Sequence, residues 1–274
     1  MPPHAQGTSD DGRCRRGRVI VETTGTPAVC ALFEGWQDTM VWSCLDGTMG
    51  HLYVTPDADH PRSAMAILGS FCFFAGVPDK ALVSYKPDWC SQDFIMMIAD
   101  DPAWYPIIAS VYGDRAQRYT RYAIKKEPDV FDRKRLQAFV SGLDPKYCLC
   151  MIDETLYYRC QREGWTRDFV EQFPTWKQYR DLGIGVVVMH GDEIAAGASS
   201  YTRYRDGIEI EIDTREDYRC QGLATVCGAA LILACLDRGL YPSWDAHTEI
   251  SVALAEKLGY HRDHPYVTYI INGY

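Results

Sequence analysis

The chain of 274 residues is long enough to bury a substantial core, in one large domain or two modest ones, and its make-up (47% apolar, 24% charged) is ordinary for a globular protein. A formal net charge of −9 leaves no basic footprint for a nucleic-acid backbone, and no apolar run reaches the length of about 18 residues that a membrane span needs. Neither partner is expected. An acidic surface suits a cationic or amine-bearing ligand, although acidity serves solubility equally well.

Residues 1–18 lack the apolar core of an export signal and read as a disordered tail with a small arginine cluster: Arg13, Arg15, Arg16 and Arg18. The 11 cysteines are then expected to be reduced thiols in a cytoplasmic protein. No CxxC pair exists, and Cys148 and Cys150 sit in an apolar strand pattern, as buried small hydrophobes do. A first block, 19–144, reads as a mixed α/β domain. Thr26 and Pro27 look like N-cap and N1 of a helix running to Trp36. "MVWSCLDG" and "GHLYVTP" read as paired strands, and "PRSAMAILGSFCFFAG" as a helix ending at Gly76. "KALVSY", "DFIMMIA" and "RYTRYAIKK" read as strands, with helices near 102–112 and 131–141. The presumed strand-to-helix loop "TPDADHPRSA" has no glycine, which makes it a poor phosphate cradle.

Gly142 and Pro145 punctuate the chain before a second block, 145–274. "YCLCMID" reads as a strand, and "DETLYYRCQREGW" as a helix capped by Asp153. "TRDFVEQF" and "TWKQYRDLG" read as short helices broken at Pro174, the second ending with Gly183 at C′. "GIGVVVM", "EIAAGASSY" and "GIEIEIDT" follow as three antiparallel strands. A helix from Gly222 to about Arg238 is apolar on every face, so both of its sides are expected to be covered. "LYPSWDA" (strand), "EISVALAEKLG" (helix, C-capped by Gly259) and "YVTYII" (strand) complete an order of β-α-α-β-β-β-α-β-α-β.

Between the third strand and the apolar helix lies "TREDYRCQGLAT", residues 214–225. A glycine-bearing turn there presents backbone N–H groups and a helix N-terminus to an anion. Arg219, Gly222 and Ala224 have the spacing [RQ]-x-x-G-x-[GA], which resembles the pyrophosphate loop of the GNAT superfamily of N-acetyltransferases. The longer run "YRCQGLAT…PSWDA…SVALAEKLGY", with "LFEGWQDT", "CLDGTMG" and "RYAIKKEPDVFD" upstream, is similar to a two-domain GNAT branch over nearly the whole chain. The resemblance implies a GNAT fold, an α/β (α+β) architecture with a mixed, largely antiparallel sheet, in 145–274. The first block would then be a second α/β domain, a degenerate repeat that binds no coenzyme. Acetyl-CoA is implied as co-substrate. Its diphosphate would lie on Arg219, Cys220, Gln221, Gly222, Leu223, Ala224 and Thr225, and its pantetheine along Ile212, Asp213 and Thr214, opposite 243–245, with Thr248 and Ser251 nearby.

The chain departs from the family pattern in three places. Thr248 stands where many members have an asparagine. Ala255 stands where many carry the tyrosine that protonates the leaving thiolate, and Tyr260 is an uncertain substitute. Only one strand follows the last helix where the family commonly has two, so the first block or a second subunit would supply the other.

Acetyl transfer needs a donor for the developing oxyanion, for which the N–H near Ile212 is the natural choice, and a base for the amine. Glu209, Glu211 and Asp213 alternate with isoleucines and share one strand face. Glu211 is the expected base, with Glu209 second; a solvated strand face is the plain alternative. Asp245 would hold a cationic acceptor, with Trp244, Tyr201 and Tyr204 beside it. The expected partner is a small-molecule primary amine, attacked directly in a ternary complex by a monomer or homodimer. The competing reading is a CoA-binding sensor or partner-binding module without turnover. "HRDH" at 261–264 lacks a carboxylate-rich partner motif, so no metal is expected. Thiol titration in denaturant without reductant should find all 11 cysteines free; a missing pair would reveal a disulfide and argue against a reducing compartment.

Overall fold

One order of elements occurs twice along the chain. The first copy is β1 (Val21–Thr23), α1 (Pro27–Leu32), α2 (Thr39–Asp46), β2 (His51–Val54), β3 (Ser63–Leu68), β4 (Phe71–Gly76), α3 (Lys80–Ser84), β5 (Phe94–Ala99), α4 (Tyr105–Tyr112) and β6 (Ala116–Ile124). Helix α5 (Arg133–Ser141) leads into the second. That copy is β7 (Tyr147–Met151), α6 (Glu154–Arg162), α7 (Trp176–Leu182), β8 (Gly185–His190), β9 (Glu193–Tyr204), β10 (Gly207–Thr214), α8 (Leu223–Asp237), the broken strand β11 (Tyr241–Ser243) and β12 (Asp245–Ala246), α9 (Glu249–Leu258) and β13 (Arg262–Asn272). The computed structural model describes residues 20–55 and 59–274. The expected N-terminal tail with its arginines, Cys14, and part of the 55–64 loop therefore lie outside the described residues. Among the described residues no helix is long and apolar enough to cross a membrane.

The second block follows its sequence reading closely, with three exceptions. Cys148 is exposed and Cys150 half-buried, rather than buried as expected, because β7 is the edge strand of its sheet. "TRDFVEQF" forms only a three-residue 3-10 turn, Arg167–Phe169. Gly183 ends α7 with φ −85°, so it is not the left-handed C′ residue expected. The first block departs further. "MVWSCLDG" is the helix α2: Asp38 caps it by accepting from Met40 and Val41 N–H (2.9 and 3.4 Å), and Gly47 ends it at φ +72°. "PRSAMAILGSFCFFAG" is the hairpin β3–β4, turning at Gly69 and Ser70 with Leu68 opposite Phe71. Both strands are buried on both faces. Their continuous apolar run therefore shows no period of two to tell strand from helix. "KALVSY" is a helix, α3, because Asp79 caps it at Ala81 N–H (2.7 Å). The loop at 55–64 joins two strands, and the counterpart of the phosphate loop is instead the segment between β4 and α3.

Two sheets result, of eight and five strands, in the orders β1-β2-β3-β4-β5-β13-β6-β12 and β11-β10-β9-β8-β7. Pairing is antiparallel except for β4·β5 and β10·β11. The two copies exchange their last strands. β13, from the second, pairs with β5 of the first over Thr268↔Ile98 to Asn272↔Phe94. β6, from the first, lies between β13 and β12, antiparallel to both, so the first block supplies the strand that the second lacks. The change near 141–147 is thus a boundary in the order of elements but not in hydrogen bonding.

Helix α8 packs against β8, β9 and β10 on one side and α5 on the other. That explains why it is apolar all round. Truncation to residues 145–274 would strip β6 from β12 and β5 from β13, leaving open edges prone to association. We expect that fragment to be insoluble or oligomeric by size-exclusion chromatography; a soluble, active monomer would show that the second copy stands alone.

Candidate active site

Strand β10 ends at Thr214, and a braced turn carries the chain into α8. Arg215 holds the turn by ion pairs to Asp217 (2.7 Å) and to Glu193 (2.9 Å) in the β8–β9 turn. Tyr147 donates to Gln221 Oε1 (2.7 Å). Cys220 (φ +61°) and Gly222 (φ +80°) are both left-handed, a backbone path that turns N–H groups toward one concavity. No side chain caps α8, and a Cβ added at Gly222 would meet nothing within 4 Å. Glycine is needed there for its φ and for close approach from outside, not to avoid a protein neighbour. Arg219 is exposed, donates to Thr214 O (3.2 Å) and lies 4.0 Å from Asp213. Leu223 and Thr225 bury their side chains, so they can offer a ligand only backbone. The loop, with bare helix N–H groups and an exposed arginine, fits a diphosphate.

Beside it the sheet splits. β10 pairs with β11 only through Gly207↔Tyr241, Ile208↔Pro242 and Glu209↔Ser243. At Trp244 the chain then leaves for the other sheet, where Asp245 pairs with Ala123 and Ala246 with Tyr122. The edge of β10 from Ile210 to Thr214 is left facing a wedge. There the carboxylates of Glu211 and Asp213 accept from the N–H groups of the next residues, Ile212 (3.1 Å) and Thr214 (2.7 Å). Thr248 caps α9 at Ser251 N–H (3.2 Å), and Ser251 Oγ accepts from Trp244 Nε1 (3.1 Å). Trp244 itself is a core residue, 3% exposed.

The isoleucines of β10 pack under α8 in the core, which leaves the acids on the other face. Along that face Glu209 is buried, Glu211 half-buried and Asp213 exposed. α2 of the first copy covers its start, and a cavity of about 490 Å³ opens beside Glu209 and Glu211. Glu211, Glu209, Asp245, His247 and Ser251 line this cavity from the second copy, with Asp168 and Glu171 exposed among its lining residues. Met40, Phe71, Met96 and Arg121 line it from the first. Tyr201, the extra residue of a bulge opposite Glu209 and Ile210, also lines it and accepts from Ser70 N–H (3.0 Å). Tyr204 is buried, stacked edge-on against Trp42. Burial and the nearby Asp168 and Asp213 push the Glu211 carboxyl up to about 8. Burial raises Glu209 to about 7, against the opposing pull of Lys126.

The family model for GNAT acetyltransferases matches residues 30–269. The chain belongs to that family. An uncharacterised N-acetyltransferase of Bacillus subtilis, YdfB, is 26% identical over 240 residues, which span 84% of this chain and 89% of that protein. A crystal structure of a GCN5-related N-acetyltransferase-like protein from Streptococcus suis is 47% identical, with a TM-score of 0.83 over 88% of this chain and 96% of that one. A tandem GNAT protein from the clavulanic acid biosynthesis pathway shares the fold at 12% identity, with a TM-score of 0.56. The protein is therefore a GNAT acetyltransferase built from two repeats, and acetyl-CoA is the co-substrate of its family. Among the described residues no group of three or more His, Cys, Asp or Glu side chains is placed to hold a metal.

Several residues stand differently from their sequence reading. Asp245, expected to hold a cationic acceptor, is already engaged. Arg121 meets its Oδ1 at 2.6 Å, and Tyr266 donates to its Oδ2 (2.8 Å). Arg121 comes from the exchanged strand β6, also donates to His247 Nδ1 (3.0 Å), and lies over the Phe71 ring. An arginine can only donate, so the ring proton of neutral His247 sits on Nε2. Ala255, at the usual tyrosine position, is fully buried, and Tyr260 donates to Pro242 O, which removes it as the substitute acid. Sequence reasoning missed Arg121, Asp168, Glu171 and His247. Of the two arginines in that strand, Arg118 and Arg121, nothing in the pattern showed which one would be buried. Arg121→Ala would leave the half-buried Asp245 without its cation, held by Tyr266 alone, and is expected to lower unfolding free energy in urea by about 3 kcal/mol. A change below about 1 kcal/mol would show that water serves Asp245 instead.

Proposed function

We propose that the enzyme transfers the acetyl group of acetyl-CoA to a primary amine of a small molecule, by direct attack in a ternary complex. The observation that carries this reading is the position of Glu211: it lines an open acidic cavity while its carboxylate rests on Ile212 N–H, at the unpaired edge of the strand that ends in the glycine-bearing turn. Residues 219–225 hold the diphosphate, Arg219 by its side chain and Gly222 to Thr225 by backbone. Ile212, Asp213 and Thr214 offer the pantetheine a strand edge, and Thr248 and Ser251 border it at the start of α9. Acetyl-CoA supplies an already activated thioester.

The protein's own part is to position and deprotonate. An arriving ammonium draws the Glu211 carboxylate off Ile212 N–H and gives it a proton. The freed N–H then donates to the carbonyl oxygen as charge builds there, and when the C–S bond breaks the departing thiolate takes the second proton of the attacking nitrogen. A carboxyl raised to about 8 is well matched to this exchange near neutral pH. Its base form prevails only above that value, so kcat/KM should fall as the pH drops below about 8. The first copy has no equivalent machinery. Aligned through its parallel pairing, Phe73 and Ala75 stand where Glu209 and Glu211 do, and the Asp79 carboxylate occupies the helix start that a diphosphate would need. It walls the acceptor cavity and binds no coenzyme.

Glu211→Gln should lower kcat by about 10²-fold or more and flatten the acid limb of the pH profile, with CoA affinity kept. Rates within a few-fold and an unmoved profile would place the base elsewhere. Gly222→Glu should abolish CoA binding in calorimetry and destabilise the fold by about 1–2 kcal/mol, because its φ strains any side chain. Gly222→Asn, which tolerates that φ and adds no charge, should retain partial binding. Unaltered affinity in the glutamate variant would sink the assignment of the loop.

A further inference from the structure

Glu209 is not explained by a single transferred amine. It is 6% exposed; its Oε2 accepts from the Thr39 hydroxyl, and its Oε1 has no hydrogen-bond partner. A buried carboxylate oxygen left unpaired is costly, and such groups generally answer to a ligand or a function. Glu209 is also a shared wall. With Trp244 and Asp245 it lines both the cavity described above and a second one beside it, likewise of about 490 Å³.

The second cavity belongs largely to the first copy. Asp38 and Thr39 reach it from the start of α2, and Lys126 from beyond β6. Asp38 uses Oδ1 to cap α2. Burial and the nearby Asp245 raise its carboxyl to about 6. Lys126 is the cation close to both acids, but its Nζ lies 5.8 Å over the Trp42 ring and pairs with neither. Asp38 and Glu209 thus form an acidic end without a counter-charge at hydrogen-bond distance.

Glu211 is two residues further along the same face of β10, roughly 7 Å away by strand geometry. We propose that the acceptor is a compact dication: one amine is delivered to Glu211 for acetylation, while a second ammonium is held in the adjoining cavity by Glu209 and Asp38. This rests on the amine-transfer reading above. The spacing fits two primary amines separated by roughly three to five carbons. An ammonium there completes the unpaired Oε1 with a charge-assisted bond in a low-dielectric site. Asp168 and Glu171 are poorer anchors, because they are solvent-exposed and screened. An organic cation suits the site better than a metal ion, since no third metal ligand joins the two carboxylates among the described residues.

The test compares 1,3-diaminopropane, 1,4-diaminobutane and 1,5-diaminopentane with propylamine and butylamine. Thiol release from acetyl-CoA is followed at matched concentrations of neutral amine. The best diamine should exceed the monoamines in kcat/KM by about tenfold or more, the scale of one hydrogen bond to a charged group. Glu209→Gln should shrink that ratio to about twofold or less, Asp38→Asn should narrow it, and Glu209→Asp should restore part of it. Calorimetry of 1,4-diaminobutane on the CoA-loaded protein should show a parallel loss of affinity in Glu209→Gln, and thermal unfolding reports whether the variants fold. Equal rates for both amine classes, or a Glu209→Gln variant that slows both in proportion, would overturn the proposal while leaving amine transfer intact. Failure of every amine to release thiol from the wild-type enzyme would overturn both.

Discussion

The site depends on a strand that has to leave its sheet. If β10 and its parallel neighbour stayed paired beyond Glu209, the N–H groups of Ile212 and Thr214 would be spent on a ladder and no wedge would exist. What draws the chain away at Trp244 is pairing on the other side: Asp245 and Ala246 join β6, a strand of the first copy. The buried Arg121–Asp245 ion pair fastens the same junction from β6 to β12. Desolvating two charges is expensive. Here the residual capacity is taken up by Tyr266 on the carboxylate and by His247 and Phe71 on the guanidinium. An acceptor cavity, an exposed strand edge and a positioned histidine thus follow from one junction between copies.

Strand exchange also accounts for the asymmetry of the two repeats. The first copy keeps β4 and β5 paired through Phe74↔Ala99, and β4 ends two residues later. The second breaks its pairing after Glu209 and carries β10 on through Thr214. The first copy contributes Met40 of α2, Phe71 at the start of β4, Met96 of β5 and Arg121 of β6 as walls. Glu209 and Glu211 are consequently covered while Asp213 stays exposed, and burial raises Glu209 and Glu211 toward the neutral range.

Much of the second copy was legible in the chain. Alternation in "GIEIEIDT" and the stop at Gly259 each have one structural answer, and the motif around Gly222 marks a helix start with bare N–H groups whatever lies around it. The first copy was less legible because its strands β3 and β4 are buried on both faces, so hydrophobicity alone could not separate strand from helix. α2 was hidden by β-branched and aromatic residues that favour strands in isolation, and here the Asp38 cap and burial of Met40, Val41 and Cys44 prevail.

Local chemistry in the sequence therefore determined the glycine-bearing turn before α8, the alternating carboxylates and the order of elements in the second half, because each is set by neighbours a few residues apart. The partners of those groups were decided only by tertiary structure. Asp245 lies 124 residues from Arg121, and Glu209 lies 170 from Thr39. Whether a carboxylate is a free anchor, a neutralised strut or an unpaired acid in a cavity depends on which distant strand is laid beside it. In this chain the exchange of β6 and β13 makes that choice, since it brings residues of the first copy against the acid face of the second.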